Sequence, residues 1–263
     1  MNLFLESCRG LWHKKQGQNS MDSVHVSTLS PELTVLLVSD GVSSQPGSER
    51  LSHLACAMLP TLLLLALMKQ KTPVTSMSDY VPLVNWAVKQ TALQLRQSLR
   101  GEPLLAATLT GALVRSDGAV LVFWLGDSPS MLMKKDRLLP LTFPHNVLVE
   151  ELGLLAEEEI CSDAVWQTEE INSQARHNAH EQAVIRFLSN SDECGEEQER
   201  LSFTQTRMEH DDLLLLGSDG VMQFVGEDCF SVERSAQGVG KFAMEQSESR
   251  TGDDRTLIVL HRS

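Results

Sequence analysis

The chain has 263 residues, 42% of them hydrophobic, enough to bury a full core in one large domain or two small ones. Its 35 acids outnumber its 22 bases, a formal net charge of −13 that argues against a nucleic-acid surface, which needs a basic stripe. Five cysteines (Cys8, Cys56, Cys161, Cys194 and Cys229) show no CxxC and no regular spacing, which suggests no zinc site and reads as free thiols in a reducing compartment.

The opening "MNLFLESCRGLWHKK" lacks a signal-peptide layout, so a soluble, cytoplasmic protein is expected. Residues 33–39, rich in Val and Leu, predict a buried strand that ends at Asp40-Gly41. After a Gly/Ser/Pro corner at 41–48, a helix is expected from about Glu49 to Lys69. Its most apolar run, "MLPTLLLLALM" (58–68), is too short to span a bilayer and is interrupted by Pro60, so it reads as buried. Ser78 or Asp79 is expected to cap the next helix, whose apolar positions Leu83, Val84, Ala87, Val88, Leu95 and Leu99 keep helical spacing until Gly101. Residues 108–128 read as two strands joined by Asp117-Gly118, the signature of a type I′ hairpin with positive φ at both positions. Short strands are expected at 130–134 and 137–141, an acidic helical segment at 145–192 and a polar loop at 190–200. Strands follow at 201–208 and 212–217, a helix near 232–247 and a last strand at 255–262. Strands and helices come in blocks without strict βαβ alternation, which predicts an α+β layered fold with mainly antiparallel sheets. No linker divides the chain, so residues 1–263 read as one domain.

Acids stand at strand ends or tight corners in five places: Asp22 in "NSMDS", Asp40 in "VSDGV", Asp127 in "LGDSP", Asp219 in "GSDGV" and Asp253 in "TGDDRT". Carboxylates that converge at the ends of buried strands repel one another, and a divalent cation offsets that repulsion. Oxygen-only ligands select hard ions such as Mg²⁺ or Mn²⁺. A glycine beside such an acid lacks a Cβ and is expected to leave the ion room. A single Asp-Gly is most often only a turn; the ordered set, with apolar strands leading into several members, carries the signal.

That set resembles the bacterial form of the metal-dependent protein phosphatase 2C (PPM) family. "LLVSDGVSSQPGSERLSHLA" (36–55) is similar to the family's strand followed by Asp-Gly-x-Gly-Gly-x-x-x-Gly-Glu-x-x-Ser, with Asp40, Gly41, Glu49 and Ser52 in place. "LVFWLGDSPSMLM" (121–133) resembles its Val-Gly-Asp-Ser-Arg turn, and "LPLTFPHNVLVEELG" (139–153) its Leu-Thr-x-Asp-His segment and following helix. "HEQAVIRFLSN" (180–190), "DDLLLLGSDGVMQFV" (211–225) and "DDRTLIVL" (253–260) complete the family's order. The resemblance implies an α/β/β/α four-layer sandwich of two mainly antiparallel sheets flanked by helices, with a variable flap over about 145–200. It implies Asp40 as the carboxylate bridging two Mn²⁺ or Mg²⁺ ions, with the Gly41 carbonyl on one of them and Asp219 and Asp253 on the second. Asp127 matches the position that shares a more weakly held third ion with Asp219, and Asp22 an acid that works mainly through metal-bound water. A water between two cations is acidified and can attack a serine or threonine phosphate in line, without a protein nucleophile.

The N-terminal motif departs from the pattern. The usual phosphate-binding Arg position falls on Gly17 and the usual Glu on Met21. "GLWHKKQGQNSMDS" (10–23) better resembles a second bacterial subtype, Gly-x-x-His-x-x-x-Gly-x-x-x-Gln-Asp, through Gly10, His13, Gly17 and Asp22. His13, Lys14 or Lys15 then supplies the missing positive charge for phosphate. Asp254 stands where Asn is usual, adding negative charge near the ions. His145 reads as structural, and Trp12, Trp86, Trp124 and Trp166 as core or cleft wall. The expected activity is serine/threonine phosphoprotein phosphatase in bacterial signalling, acting on the target of a cognate kinase, with no nucleic acid and no membrane insertion. The alternative, motivated by the lost Arg and Glu, is a catalytically weak or inactive pseudophosphatase that binds phosphoproteins or a partner.

Overall fold

The structure is a computed structural model that describes residues 1–135, 137–146, 184–194, 198–248 and 250–263. Its elements are β1 (Asn2–Cys8), α1 (Leu11–Gln16), β2 (Asp22–Ser30), β3 (Leu33–Asp40), α2 (Ser48–Lys69), α3 (Val81–Ser98), β4 (Ala106–Ala107), β5 (Leu109–Arg115), β6 (Ala119–Leu125), β7 (Ser130–Met133), β8 (Leu138–Pro140), β9 (Leu188–Ser189), β10 (Ser202–Arg207), β11 (Leu213–Gly217), α4 (Asp219–Met222), α5 (Ala236–Glu248) and β12 (Arg255–His261). Two five-stranded sheets result, one in the order β1-β12-β11-β7-β8 and the other β10-β6-β5-β3-β2, with β4 and β9 forming a small third. Neighbouring strands pair antiparallel throughout both large sheets.

The layering follows from the period of two along each strand. Leu36 and Val38 of β3, Leu214 and Leu216 of β11, and Ile258 and Leu260 of β12 point inward and meet between the sheets. Their neighbours Val35 and Leu37 point outward beneath α2 and α3. Leu213, Leu215, Leu257 and Val259 face out beneath α4 and α5. Both faces of these strands are covered, so they read as unbroken apolar runs. Each buried Leu or Val contributes about 1.5–3 kcal/mol relative to an exposed one.

Helix α2 is longer than its most apolar run and keeps Pro60 inside it. By length and composition it is long and apolar enough to cross a membrane, so the length argument against a span does not hold. The helix lies against the second sheet and α3 with Leu51, Ala55, Leu59, Leu62, Leu63 and Ala66 buried, while Leu64, Leu65 and Met68 face outward. One face of it is buried, as the sequence suggested, and the other is exposed.

Three local expectations are corrected. The turn between β5 and β6 has three residues, 116–118, and only Gly118 has positive φ (91°). The Gly118 N–H donates to the Arg115 carbonyl at 2.9 Å, as in a type I turn followed by a left-handed residue, so a two-residue I′ turn is ruled out. Asp79 does not cap α3 directly; its carboxylate accepts the Thr75 and Ser76 N–H groups at the head of a short 3-10 turn, Met77–Tyr80. The described ends of the segment expected to be helical over 145–192 hold no helix; residues 188–189 form β9 against β4. The rest of that segment, most of the expected flap, and Cys161 and Trp166 lie outside the described residues.

Candidate metal centre

The acids predicted from strand ends gather at one mouth of the sandwich, drawn from both sheets. Asp22 opens β2 and Asp40 closes β3, and the register pairs them directly across the strands. Asp127 sits in the turn after β6, of the same sheet, whereas Asp219 opens α4 directly after β11 and Asp253 precedes β12. Asp219 is in contact with solvent, yet the cleft walls desolvate it and Asp253 repels it, so its pKa is raised. Burial, then the charges of Asp22 and Asp219, hold Asp40 well above the usual carboxylate range. Burial raises Asp127 to about 7, with Asp219 adding repulsion. Asp22 is likewise raised to about 7, chiefly by desolvation, although Ser218, Asp40 and Thr256 oppose the shift.

Hydroxyls to which the sequence reading gave no supporting role hold these acids in place. Thr108 clamps Asp40: its Oγ accepts the Asp40 N–H at 3.0 Å and its own N–H donates to the Asp40 carbonyl at 2.8 Å. The same Oγ meets Ser128 Oγ at 2.7 Å, which ties Asp40 to the turn that carries Asp127. On the other sheet, the Thr256 N–H donates to Ser218 Oγ at 3.1 Å and the Ser218 N–H to the Thr256 carbonyl at 3.0 Å, fixing the residue before Asp219. One signal was available: a serine adjoins Asp40, Asp127 and Asp219 in the sequence.

The glycines beside Asp40 and Asp219 are closely packed where a Cβ would stand. A Cβ on Gly41 would lie 2.9 Å from the Ser48 carbonyl carbon, and one on Gly220 would lie 2.0 Å from the Asp254 carbonyl oxygen. In both, the missing Cβ makes space for neighbouring backbone.

Buried polar and aromatic partners fix His145, as the structural reading expects. The Gly126 N–H donates to Nδ1 at 3.2 Å, Nε2 lies 2.9 Å from Ser202 Oγ, and the ring stacks on Trp124 at 5.7 Å. Desolvation, then Arg186, lowers its pKa well below the usual value and keeps it neutral. The three phosphate-binding candidates part company. Lys14 and Lys15 are exposed on α1, but His13 is buried, with Nδ1 2.9 Å from Asp254 Oδ2. His13 therefore does not face a substrate, a correction set by its packing. Trp12 is not core, being 61% exposed on the same helix. Asp254 is turned away from free solution: the Gly10 and Met21 N–H groups donate to its two oxygens at 2.6 and 2.5 Å.

A divalent cation fits this donor set. Both carboxylate oxygens of Asp22 are buried with no well-formed hydrogen bond among the described residues, although Ser218, Asp40 and Thr256 stand close enough to oppose the rise of its pKa. Such acceptors, packed among mutually repelling acids, are what a cation would satisfy.

The protein phosphatase 2C family profile matches residues 9–251, and the chain belongs to that family. A search of curated proteins by sequence gave no match. Solved structures share the fold. A bacterial serine phosphatase aligns at TM-score 0.73 with 14% identity, over 100% of this chain and 98% of its own. The serine/threonine phosphatase of Mycobacterium tuberculosis aligns at 0.63 with 18% identity, over 98% and 97%. A PPM Ser-Thr phosphatase from Mycobacterium smegmatis, in complex with cacodylate, aligns at 0.67 with 20% identity, over 98% and 97%.

Proposed function

We propose that this protein is a serine/threonine phosphoprotein phosphatase that depends on two Mn²⁺ or Mg²⁺ ions, with a weaker third. The observation that carries the reading is the convergence of Asp22, Asp40, Asp127, Asp219 and Asp253 from two sheets onto one mouth, with the oxygens of Asp22 in no well-formed hydrogen bond among the described residues. Asp40, the Gly41 carbonyl, Asp219 and Asp253 would hold the pair, Asp127 with Asp219 the third ion, and Asp22 would stand behind them as a further acceptor. Bound there, such cations supply Lewis acidity that neutralises phosphoryl oxygens and makes water available as a nucleophile at neutral pH.

The chain's own groups do the rest. Lys14 and Lys15 stand exposed on α1, whose first turn is tied to the metal-side loop by the Trp12 N–H donating to the Gly252 carbonyl at 2.9 Å. From there they draw an anionic phosphate toward the acids against a net charge of −13. The serines beside the acids are committed elsewhere, Ser128 to Thr108 and Ser218 to Thr256, and Cys229 is buried under α5. This favours attack by water over a covalent enzyme intermediate. Retention of all five acids is what a working phosphatase needs, and nothing in the site favours the pseudophosphatase reading. The substrate would be a phosphoprotein made by a cognate kinase in bacterial signalling. Free Cys8, Cys56, Cys194 and Cys229 support a reducing, cytoplasmic setting.

The test is hydrolysis of p-nitrophenyl phosphate and of phosphoserine and phosphothreonine peptides with Mn²⁺, with Mg²⁺ and with EDTA. Turnover should require the cation and should collapse in Asp40→Asn. Full turnover in EDTA or in that variant would refute the proposal.

A further inference from the structure

We propose that Asp254 is a positioning residue, a staple between the two sheets that sets the spacing of the acid cluster. The inference rests on the metal-dependent reading given above. It starts from a division in the site: Asp22, Asp40 and Asp127 lie in or just after strands of one sheet, and Asp219 and Asp253 flank strands of the other. Some contact at the mouth has to hold the two groups at a fixed distance.

Asp254 makes that contact. It is 2% exposed and lies between Asp253 and the start of β12. One oxygen accepts the Gly10 N–H at 2.6 Å; the other accepts the Met21 N–H at 2.5 Å. Met21 immediately precedes Asp22, and its carbonyl accepts the Gly41 N–H at 3.1 Å and the Ser52 hydroxyl at 2.5 Å. A continuous path of short bonds therefore runs from Asp253-Asp254 through Met21 to Asp22 and Asp40-Gly41. Gly10 is part of the same joint: a Cβ there would meet the Asp253 carbonyl carbon at 2.3 Å, so only glycine lets its N–H come this close.

The ligand atoms of His13, Asp253 and Asp254 lie within 4.8 Å of one another, a spacing that would also suit a separate cation. Both oxygens of Asp254 are already taken by main-chain donors. His13 Nδ1 lies near Oδ2 without an aligned hydrogen bond, and the ring closes the joint from solvent. The cluster is thus read as a joint. Two acceptor oxygens are needed, and only a carboxylate has both; asparagine offers one and turns an NH₂ toward the second donor.

The full chain tests this as wild type, Asp254→Asn and Asp254→Glu, with Asp212→Asn as control. Asp212 is a second buried acid that accepts a main-chain N–H, from Glu209 at 2.9 Å, but it sits away from the acid cluster. Three quantities are read: Mn²⁺ affinity by calorimetry, amide hydrogen exchange over residues 10–21, and Tm. Both Asp254 variants should exchange faster over 10–21 and bind Mn²⁺ about 10–100-fold more weakly, the range for residues that orient ligands. Asp212→Asn should lower Tm and leave the affinity unchanged. Mn²⁺ affinity within twofold of wild type in Asp254→Asn overturns the inference. So does weaker binding without faster exchange over 10–21, because Asp254 would then act on the ion directly. Asp254→Glu, with both acceptors one methylene further out, decides the matter if the Asn variant folds too poorly to titrate. A wild-type chain that binds no Mn²⁺, or binds it undiminished in Asp40→Asn, refutes the phosphatase reading itself, which is a different result.

Discussion

The triplet Ser-Asp-Gly occurs at 39–41, 116–118 and 218–220, and the copies do unlike work. At 116–118 it turns a hairpin: Gly118 takes positive φ, and Asp117 accepts the Ala119 N–H at 3.1 Å and pairs with Arg115 at 2.9 Å. At 39–41 and 218–220 neither glycine has positive φ; backbone crowds the place of each Cβ, as the Met208 carbonyl also does at Gly118, so the left-handed backbone is what sets the hairpin copy apart. Their aspartates are pushed toward the protonated form, whereas hydrogen bonding to the Ala119 N–H, aided by Arg115 and Arg207, lowers the pKa of Asp117. The same three letters thus mark a carboxylate content with its charge and two that need a counter-charge.

The sharpest break of this comparison is catalytic. Asp219→Asn should cost about 10³-fold in Mn²⁺-dependent turnover, as expected when several kcal/mol of charge stabilisation are lost. Asp117→Asn should leave turnover unchanged, which steady-state assays of both variants would show. The next effect concerns pH. Asp22 and Asp127 are raised from 3.8 to about 7 in the folded, metal-free chain, so their contribution to stability is present below about 3.8 and lost as pH rises through about 7. Melting in EDTA should therefore show Tm falling from pH 4 to pH 7, with Mn²⁺ restoring it at pH 7. Asp117 has the opposite sign: its small, largely solvent-screened contribution is present above 3.8 and fades as pH falls through its lowered pKa. Gly220→Ala forces a Cβ onto the Asp254 carbonyl and should destabilise by about 1–3 kcal/mol in urea titration while weakening Mn²⁺ binding. Gly118→Ala should cost about 1–2 kcal/mol for the left-handed backbone, and more for the Cβ forced within 2.4 Å of the Met208 carbonyl oxygen, and leave Mn²⁺ affinity alone. Loss of Mn²⁺ affinity in Gly118→Ala would erase the distinction between the copies.

Much of the framework can be read in the sequence because its central strands are buried on both faces. The runs 35–38 and 213–216 are apolar at every position, and the structure splits each by parity between two cores. The edge strands were harder to see. β2 carries a polar, half-buried face, and β1 turns Leu3 and Leu5 outward, so neither shows a clean alternation. Helix α4 has four residues, too few to display a period. The acids stood out as charges that interrupt apolar strands. Their supports stood out less: Ser128, Ser218 and Thr256 lie beside or near an acid in the sequence but do not announce what they hold, and Thr108 follows no spacing rule. The partners of Asp254 are main-chain N–H groups 244 and 233 residues away, which no side-chain pattern encodes.

The layer between the sheets has a consequence for the reaction as well as for the fold. Val38 lies two residues before Asp40 and Leu216 three before Asp219, and both belong to that layer with Leu36 and Leu214. These side chains act as a shim whose thickness gauges the gap between opposing carboxylates. A methylene added or removed there, well out of reach of any substrate, would shift the separation of the two groups of carboxylates, because a close-packed layer passes a change of volume on to what it supports.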